Sequence, residues 1–257
     1  MLGVVAVESL KQQGRLVEAA AELERLLAAP EGHDSLGLCG LLERQGTVAR
    51  ELGDLAAAQS VLERLLQYAI EAELPRRQVA ARVELATVSL VRGDLAAVTA
   101  QLAQADAMAK ATGDTLGLAS VRELQGRLLR QQGRPTEARA PLQEAQRLYE
   151  GLGQLLAAGV CQAHAADNQY LAGDQAAALA SVEQLLGKAE LGSEARLPCW
   201  RVLSSLQDAR ADALASQLQA ALRRQLQALP ESSHQRLLTQ VPLWRDVAAM
   251  APVAGRG

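Results

Sequence analysis

Apolar and small residues return to the same places along this chain with a beat of about forty. Ala19, Ala58, Val98, Ala138 and Ala178 form one series, and Leu23, Leu62, Leu102, Leu142 and Val182 form a second, four residues later. Five glycines keep the same time: Gly14, Gly53, Gly93, Gly133 and Gly173, with steps of 39, 40, 40 and 40 residues. A small residue stands seven before the last four glycines, at Gly46, Ala86, Gly126 and Ala166. Repetition on this scale marks units that stack and bury a shared core.

Within a unit the apolar spacing is helical. Residues 114–153 serve as the type unit. Asp114 caps a first helix, whose stripe is Leu118, Val121, Leu128 and Leu129. Gly126 in mid-helix costs about 1 kcal/mol against Ala, which points to a close helix crossing. Gly133 ends the helix in the left-handed conformation that glycine tolerates, and Pro135 opens the next. First helices are predicted near 35–51, 76–91, 115–131, 155–171 and 195–208. Second helices are predicted near 16–29, 55–72, 95–111, 135–149 and 175–189, with Asp54, Asp94 and Asp174 as caps. The beat weakens after Ser193, where Ala211-Asp212 takes the place of Gly-Asp. A helix near 211–228 follows, then one or two short helices around Pro242.

These elements predict an all-α chain: a right-handed α-α superhelix of about six helix-turn-helix repeats. The array covers residues 1–229, capping helices cover 230–250, and residues 251–257 form a frayed tail. Only 13 residues precede Gly14. That favours a first helix cut from something longer over a short cap.

Composition narrows the function. The chain has 257 residues, of which 49% are hydrophobic and 2% aromatic, with no Phe and a net charge of −3. No strongly basic character supports direct nucleic-acid binding. No apolar run reaches the length of a membrane span. Cys39, Cys161 and Cys199 are widely spaced and odd in number, which fits reduced core residues and a cytoplasmic location. Phosphate-cradling, nucleophile-elbow and zinc-protease motifs are all missing, so no enzyme activity, cofactor or metal is expected.

The spacing of small residue, glycine and alanine (Gly126, Gly133 and Ala138; Gly46, Gly53 and Ala58) resembles the tetratricopeptide repeat. The longer period is more similar to the arrays of MalT-type and SARP-type bacterial regulators. ATGDTLGLASVRELQGRLLRQQGRPTEARAPLQEAQRLYEGLG and the tail HQRLLTQVPLWRDV carry that resemblance. It implies a groove lined by first helices, at positions 13, 10, 6 and 3 before each glycine. The groove candidates are Glu43, Thr47, Arg50, Thr87, Leu90, Glu123, Arg127, Arg130, Asp167 and Tyr170. Arginines there pair with carboxylates of a peptide or its C-terminus, or they bridge Glu43, Glu123 or Asp167 on their own wall, or they simply face water.

Three functions follow as expectations. The first is a non-catalytic scaffold that binds a protein or peptide in a bacterial regulatory system, which calls for uncompensated groove arginines. The second is a domain of a transcriptional regulator that senses a ligand or signal peptide and oligomerises. The third is a self-associating structural array. Remaining singletons are weaker. His164 shares a helical face with Cys161 and Asp167, a spacing open to metal or pH sensing. His33 falls in a turn, His234 falls in the tail, and Trp200 and Trp244 plug the last interfaces. An exposed Trp244 marks a docking surface instead.

Overall fold

The structure is a computed structural model that describes residues 2–28, 34–187 and 191–250. His33 and the tail expected at 251–257 lie outside the described residues, as do the last positions of the second helices predicted to reach 29 and 189. Every regular element among the described residues is an α-helix. The helices are α1 (Leu2–Gln12), α2 (Leu16–Leu27), α3 (Ser35–Glu51), α4 (Leu55–Glu71), α5 (Pro75–Arg92), α6 (Leu95–Thr112) and α7 (Thr115–Gln131). They continue with α8 (Pro135–Gly151), α9 (Leu155–Leu171), α10 (Gln175–Leu186), α11 (Ser193–Ser205), α12 (Arg210–Gln227), α13 (Glu231–Gln240) and α14 (Pro242–Ala248).

The glycine beat has a direct cause. At Gly53, φ is +78°, and at Gly133 it is +74°. At the second of these, Gly133 N–H donates to Arg130 O and Arg134 N–H donates to Leu129 O, at 3.0 and 2.9 Å. This reciprocal pair satisfies the last carbonyls of α7 and turns the chain. The capping aspartates then receive the next helix. Asp54, Asp94 and Asp174 each accept from a backbone N–H three residues on, at 3.0, 3.0 and 3.2 Å. Arg134 stands in place of such an aspartate, and its guanidinium grips Glu137 at 2.5 Å.

The sixth turn departs from expectation. It lies at Gln207-Asp208, 34 residues after Gly173, and not at Ala211-Asp212. Gln207 holds the left-handed position with φ +55°. First helix α11 has 13 residues against 17 in α9, so the turn arrives early.

The described residues form two compact units. One contains the chain up to Thr112 with Leu222–Arg245, and the other contains Gly113–Ala221 with the segment from Asp246 onward. In the first unit α1/α2, α3/α4 and α5/α6 pack as hairpins, α2 packs on α3, α4 packs on α5, and α3 packs on α5. In the second unit α7/α8 and α9/α10 are hairpins, α8 packs on α9, and α9 packs on α7 and α11.

Both cores use the periodic residues. The alanine and valine series five after each glycine is fully buried, and the series nine after is at most 2% exposed. Burial of each such Leu or Val contributes about 2 kcal/mol. Small residues stand where helices cross. A Cβ at Gly46 would lie 2.6 Å from Leu62 Cδ2, and one at Gly126 would lie 2.4 Å from Leu142 Cγ. Trp200 is half-buried against the core of the second unit, and Trp244 is half-buried rather than exposed.

Candidate functional site

First helices carry the polar side chains that the hairpin cores leave over. In the first unit these converge between α1, α3 and α5. Glu8, Lys11, Glu43, Arg44, Thr47 and Arg77 line a cleft of about 270 Å³. Arg77 Nη1 donates to Glu43 Oε2 at 3.0 Å. Arg44 Nε lies 3.5 Å from Glu8 Oε2 and Lys11 Nζ lies 3.5 Å from Glu51 Oε1. Arg44 Nη1 donates to Gly40 O at 2.9 Å, and the Thr47 hydroxyl donates to Glu43 O at 3.0 Å. Burial pushes the Glu43 carboxyl above the usual range, and neighbouring Glu84 adds to this against the pull of Arg77.

Glu43 and Thr47 therefore share one cleft. Other candidates of the same unit sit beside it or within the packing. Arg50 Nε lies 3.4 Å from Glu84 Oε2. Thr87 and Leu90 are buried, and the Thr87 hydroxyl donates to Val83 O at 2.9 Å.

In the second unit a line of charges crosses four helices. Asp167 on α9 is 2% exposed and lies between Arg130 of α7 at 2.7 Å and Arg201 of α11 at 3.3 Å. Arg201 also reaches Asp246 of α14 at 2.5 Å. Arg127 lies 3.7 Å from Glu123, one turn earlier on α7. Glu123 accepts from the Tyr149 hydroxyl at 3.2 Å, and that hydroxyl lies 3.0 Å from Ser120 Oγ. Burial and then Glu123 push the Tyr149 phenol up. Tyr170, a groove candidate, is half-buried against the core of α9–α11.

The expectation of uncompensated arginines thus fails at Arg50, Arg127 and Arg130. Each has a carboxylate on its own wall. The reason is geometric: position 3 before the turn in one first helix faces position 9 or 6 of the next, where Glu84 and Asp167 stand, and Arg127 meets Glu123 one turn earlier on its own helix. Half-exposed pairs of this kind contribute little individually, but Asp167 is buried and lies against both arginines, so loss of a partner there costs more.

His164 lies within this cluster. Its Nδ1 is sealed from solvent without a hydrogen-bond partner. Burial, with Arg127, Arg130 and Arg201 nearby, holds its pKa well below the ordinary value. Cys161 is buried and its thiol is pushed up by burial, while the Cys199 thiol is pushed up to about 12. Among the described residues no three His, Cys, Asp or Glu side chains are placed to hold a metal. In the tail, His234 Nε2 lies 2.8 Å from Leu226 O and 3.1 Å from Leu229 O.

Sequence reasoning missed four lining residues of the cleft. Lys11 and Glu8 stand three and six residues before Gly14, the same positions that nominated Arg50 and Thr47 before Gly53. The rule only needed to start one repeat earlier. Arg44 and Arg77 stand outside the four nominated positions. Arg201 stands six before Gln207, and that turn residue is not glycine, so the register was lost.

No family model matches the chain, and no curated protein matches it. Among solved structures it is similar to a Rap protein complexed with competence and sporulation factor, at 14% identity and TM-score 0.66, over 96% of this chain and 74% of that one. It is similar to NprR in complex with its cognate peptide NprX, at 12% identity and TM-score 0.64, over 92% and 70%. A third likeness is BtubC (BKLC) from P. vanneervenii, at 17% identity and TM-score 0.58, over 85% and 92%. These likenesses show the fold, an all-α solenoid of tetratricopeptide-like helix pairs.

Proposed function

We propose that this chain is a non-catalytic scaffold that binds a protein or peptide segment along its first helices, within a cytoplasmic regulatory system of a bacterium. The observation that carries this reading is the polar cleft between α1, α3 and α5. It is open, it is lined by charged side chains of three successive first helices, and it contains Glu43 and Thr47 at positions nominated by the repeat pattern. NprR, a protein of like fold, is bound to a peptide in its structure, and the chain's sequence resembles regulator arrays. Among the described residues no helix is long and apolar enough to cross a membrane.

Selection of random twelve-residue peptides by mRNA display tests the reading, followed by fluorescence polarisation of the enriched sequences. Enriched peptides are expected to bind the wild type. Binding should weaken at least tenfold in a variant with Glu43→Lys and Arg77→Glu, provided that circular dichroism shows it folded. Absence of enrichment, or equal binding by the folded variant, contradicts the proposal.

Self-association is a second reading with one observation in its favour. Leu116, Leu152, Leu155 and Leu156 of the second unit are 51%, 42%, 71% and 64% exposed. Light scattering across a concentration series tests it. A constant monomer mass up to the highest concentration contradicts it.

A further inference from the structure

We propose that α13 is a displaceable strap: it fills a docking surface made by the first two hairpin turns of the first unit, and it blocks the adjoining end of the first-helix wall until a partner takes its place. The seat stands on the geometry of the turns, and the blocking role rests on the peptide-binding reading.

Gly53 and Gly93 share one backbone conformation, with φ +78° and +79°. Their surroundings differ. A Cβ built at Gly93, Gly133 or Gly173 would meet nothing within 4 Å. At Gly53 it would lie 2.8 Å from the backbone O of Arg236 and 3.1 Å from its Cγ. At Gly14 it would lie 3.3 Å from Gln225 Oε1, in the last turn of α12. The tail is thus laid on the first two turns, while the three later turns stand open. Asp54 completes the seat. Its Oδ1 accepts from Ala57 N–H at 3.0 Å and caps α4, and its Oδ2 accepts from Arg236 Nη1 at 2.6 Å.

The seat is shallow. Leu237 is the one buried side chain of α13. The Arg236–Asp54 pair is 46% and 37% exposed, so it contributes little. Gln225 Nε2 is sealed from solvent without a hydrogen-bond partner, which works against docking. Pro230 and Val241 bracket α13 in extended backbone, with ψ 143° and 106°, and give it a hinge at each end. An element with few buried apolar contacts opens well below the free energy of global unfolding.

The strap also lies where it controls access. Lys11 lines the polar cleft, three residues before Gly14, and approaches Glu51, two residues before Gly53, at 3.5 Å. The two covered turns therefore follow directly on the Lys11 end of the cleft. A peptide that continues along the wall past Lys11 meets Gln225 and Arg236.

Hydrogen exchange on the full chain tests the seat. Gly53→Asn and Gly93→Asn place the same side chain on the same left-handed backbone, which asparagine tolerates. Only the first strikes the tail. Gly53→Asn should speed amide exchange in α13 at least tenfold, and Gly93→Asn should leave it unchanged. Arg236→Glu should speed it at least threefold. Asp54→Asn, which keeps the α4 cap, should speed it in wild type and add nothing in an Arg236→Gln background. Unchanged α13 exchange in Gly53→Asn and Arg236→Glu overturns the strap. Faster exchange throughout α3–α6 in Arg236→Glu also overturns it, because α13 is then part of the core.

The blocking role is read with the best peptide from the display selection. It should bind Arg236→Glu at least threefold more tightly than wild type, and its binding to wild type should speed exchange in α13. Equal affinity with unchanged α13 exchange refutes the blocking role and leaves the peptide reading standing. Absence of any enriched peptide refutes both of these, and the exchange comparison still decides the seat.

Discussion

Arg130 on α7 and Asp167 on α9 meet at 2.7 Å, and the aspartate is nearly sealed from solvent. Arg201 on α11 approaches the same carboxylate oxygen at 3.3 Å. One acid thereby links three successive first helices. Removing its charge would leave two partly buried guanidinium groups without their shared partner. Asp167→Asn is expected to cost about 2 kcal/mol, below the full cost of breaking a buried pair because both arginines keep some water. Glu137→Gln, in an exposed pair, should leave stability nearly unchanged. Urea midpoints of the two variants check this, and equal shifts would contradict it.

Gly126 and Gly159 both sit inside first helices, α7 and α9, but their surroundings differ. A Cβ at Gly126 would strike Leu142 Cγ at 2.4 Å, while one at Gly159 would meet Leu185 Cδ2 at an ordinary 3.8 Å. Leu142 is fully buried. Gly126→Ala should therefore destabilise by about 1–3 kcal/mol through overpacking. Gly159→Ala should stabilise by up to about 1 kcal/mol through helix propensity. Thermal melts of both variants decide whether the crossing or the propensity dominates.

Much of the architecture was legible because one local event recurs. A left-handed residue ends these first helices and glycine takes that place most readily, so Gly53 and Gly133 announce their turns, and Ala58 and Ala138 must then be small enough to pack. The last turn hid itself because Gln207 holds the same backbone conformation without being glycine. Pairing across the wall was not legible either. Arg130 and Asp167 lie 37 residues apart in sequence, and nothing local shows that their helix faces meet. The tail was hardest. Arg236 pairs with Asp54 at 2.6 Å, and its backbone O would lie 2.8 Å from a Cβ at Gly53. Such a contact across 182 positions leaves no periodic trace.

Glu73 takes the left-handed place between α4 and α5, with φ +52°. A side chain there costs about 1–2 kcal/mol relative to the right-handed region. Glycine relieves it but loses more freedom on folding. Glu73→Gly is expected to gain about 0.5–1 kcal/mol, read as a higher urea midpoint. An unchanged or lower midpoint would contradict the assignment of strain to this residue.

His164 makes stability depend on pH. Its folded pKa lies well below the ordinary 6.5, chiefly through burial. Between those values the unfolded chain binds a proton that the folded chain refuses. Stability is therefore full above about pH 6.5, falls as pH drops toward the folded pKa, and levels off below it, with a slope of at most about 1.4 kcal/mol per pH unit. Denaturant midpoints at pH 7.5 and 5.5 should fall more for wild type than for His164→Gln. Equal falls would remove the histidine from the effect.

Hydrogen exchange of the full chain with and without a selected peptide tests the binding wall most directly. Bound peptide is expected to slow amide exchange in α1, α3 and α5, around Lys11, Arg44 and Arg77. Slowing confined to second helices α2, α4 and α6, or no slowing under saturating peptide, would contradict the account.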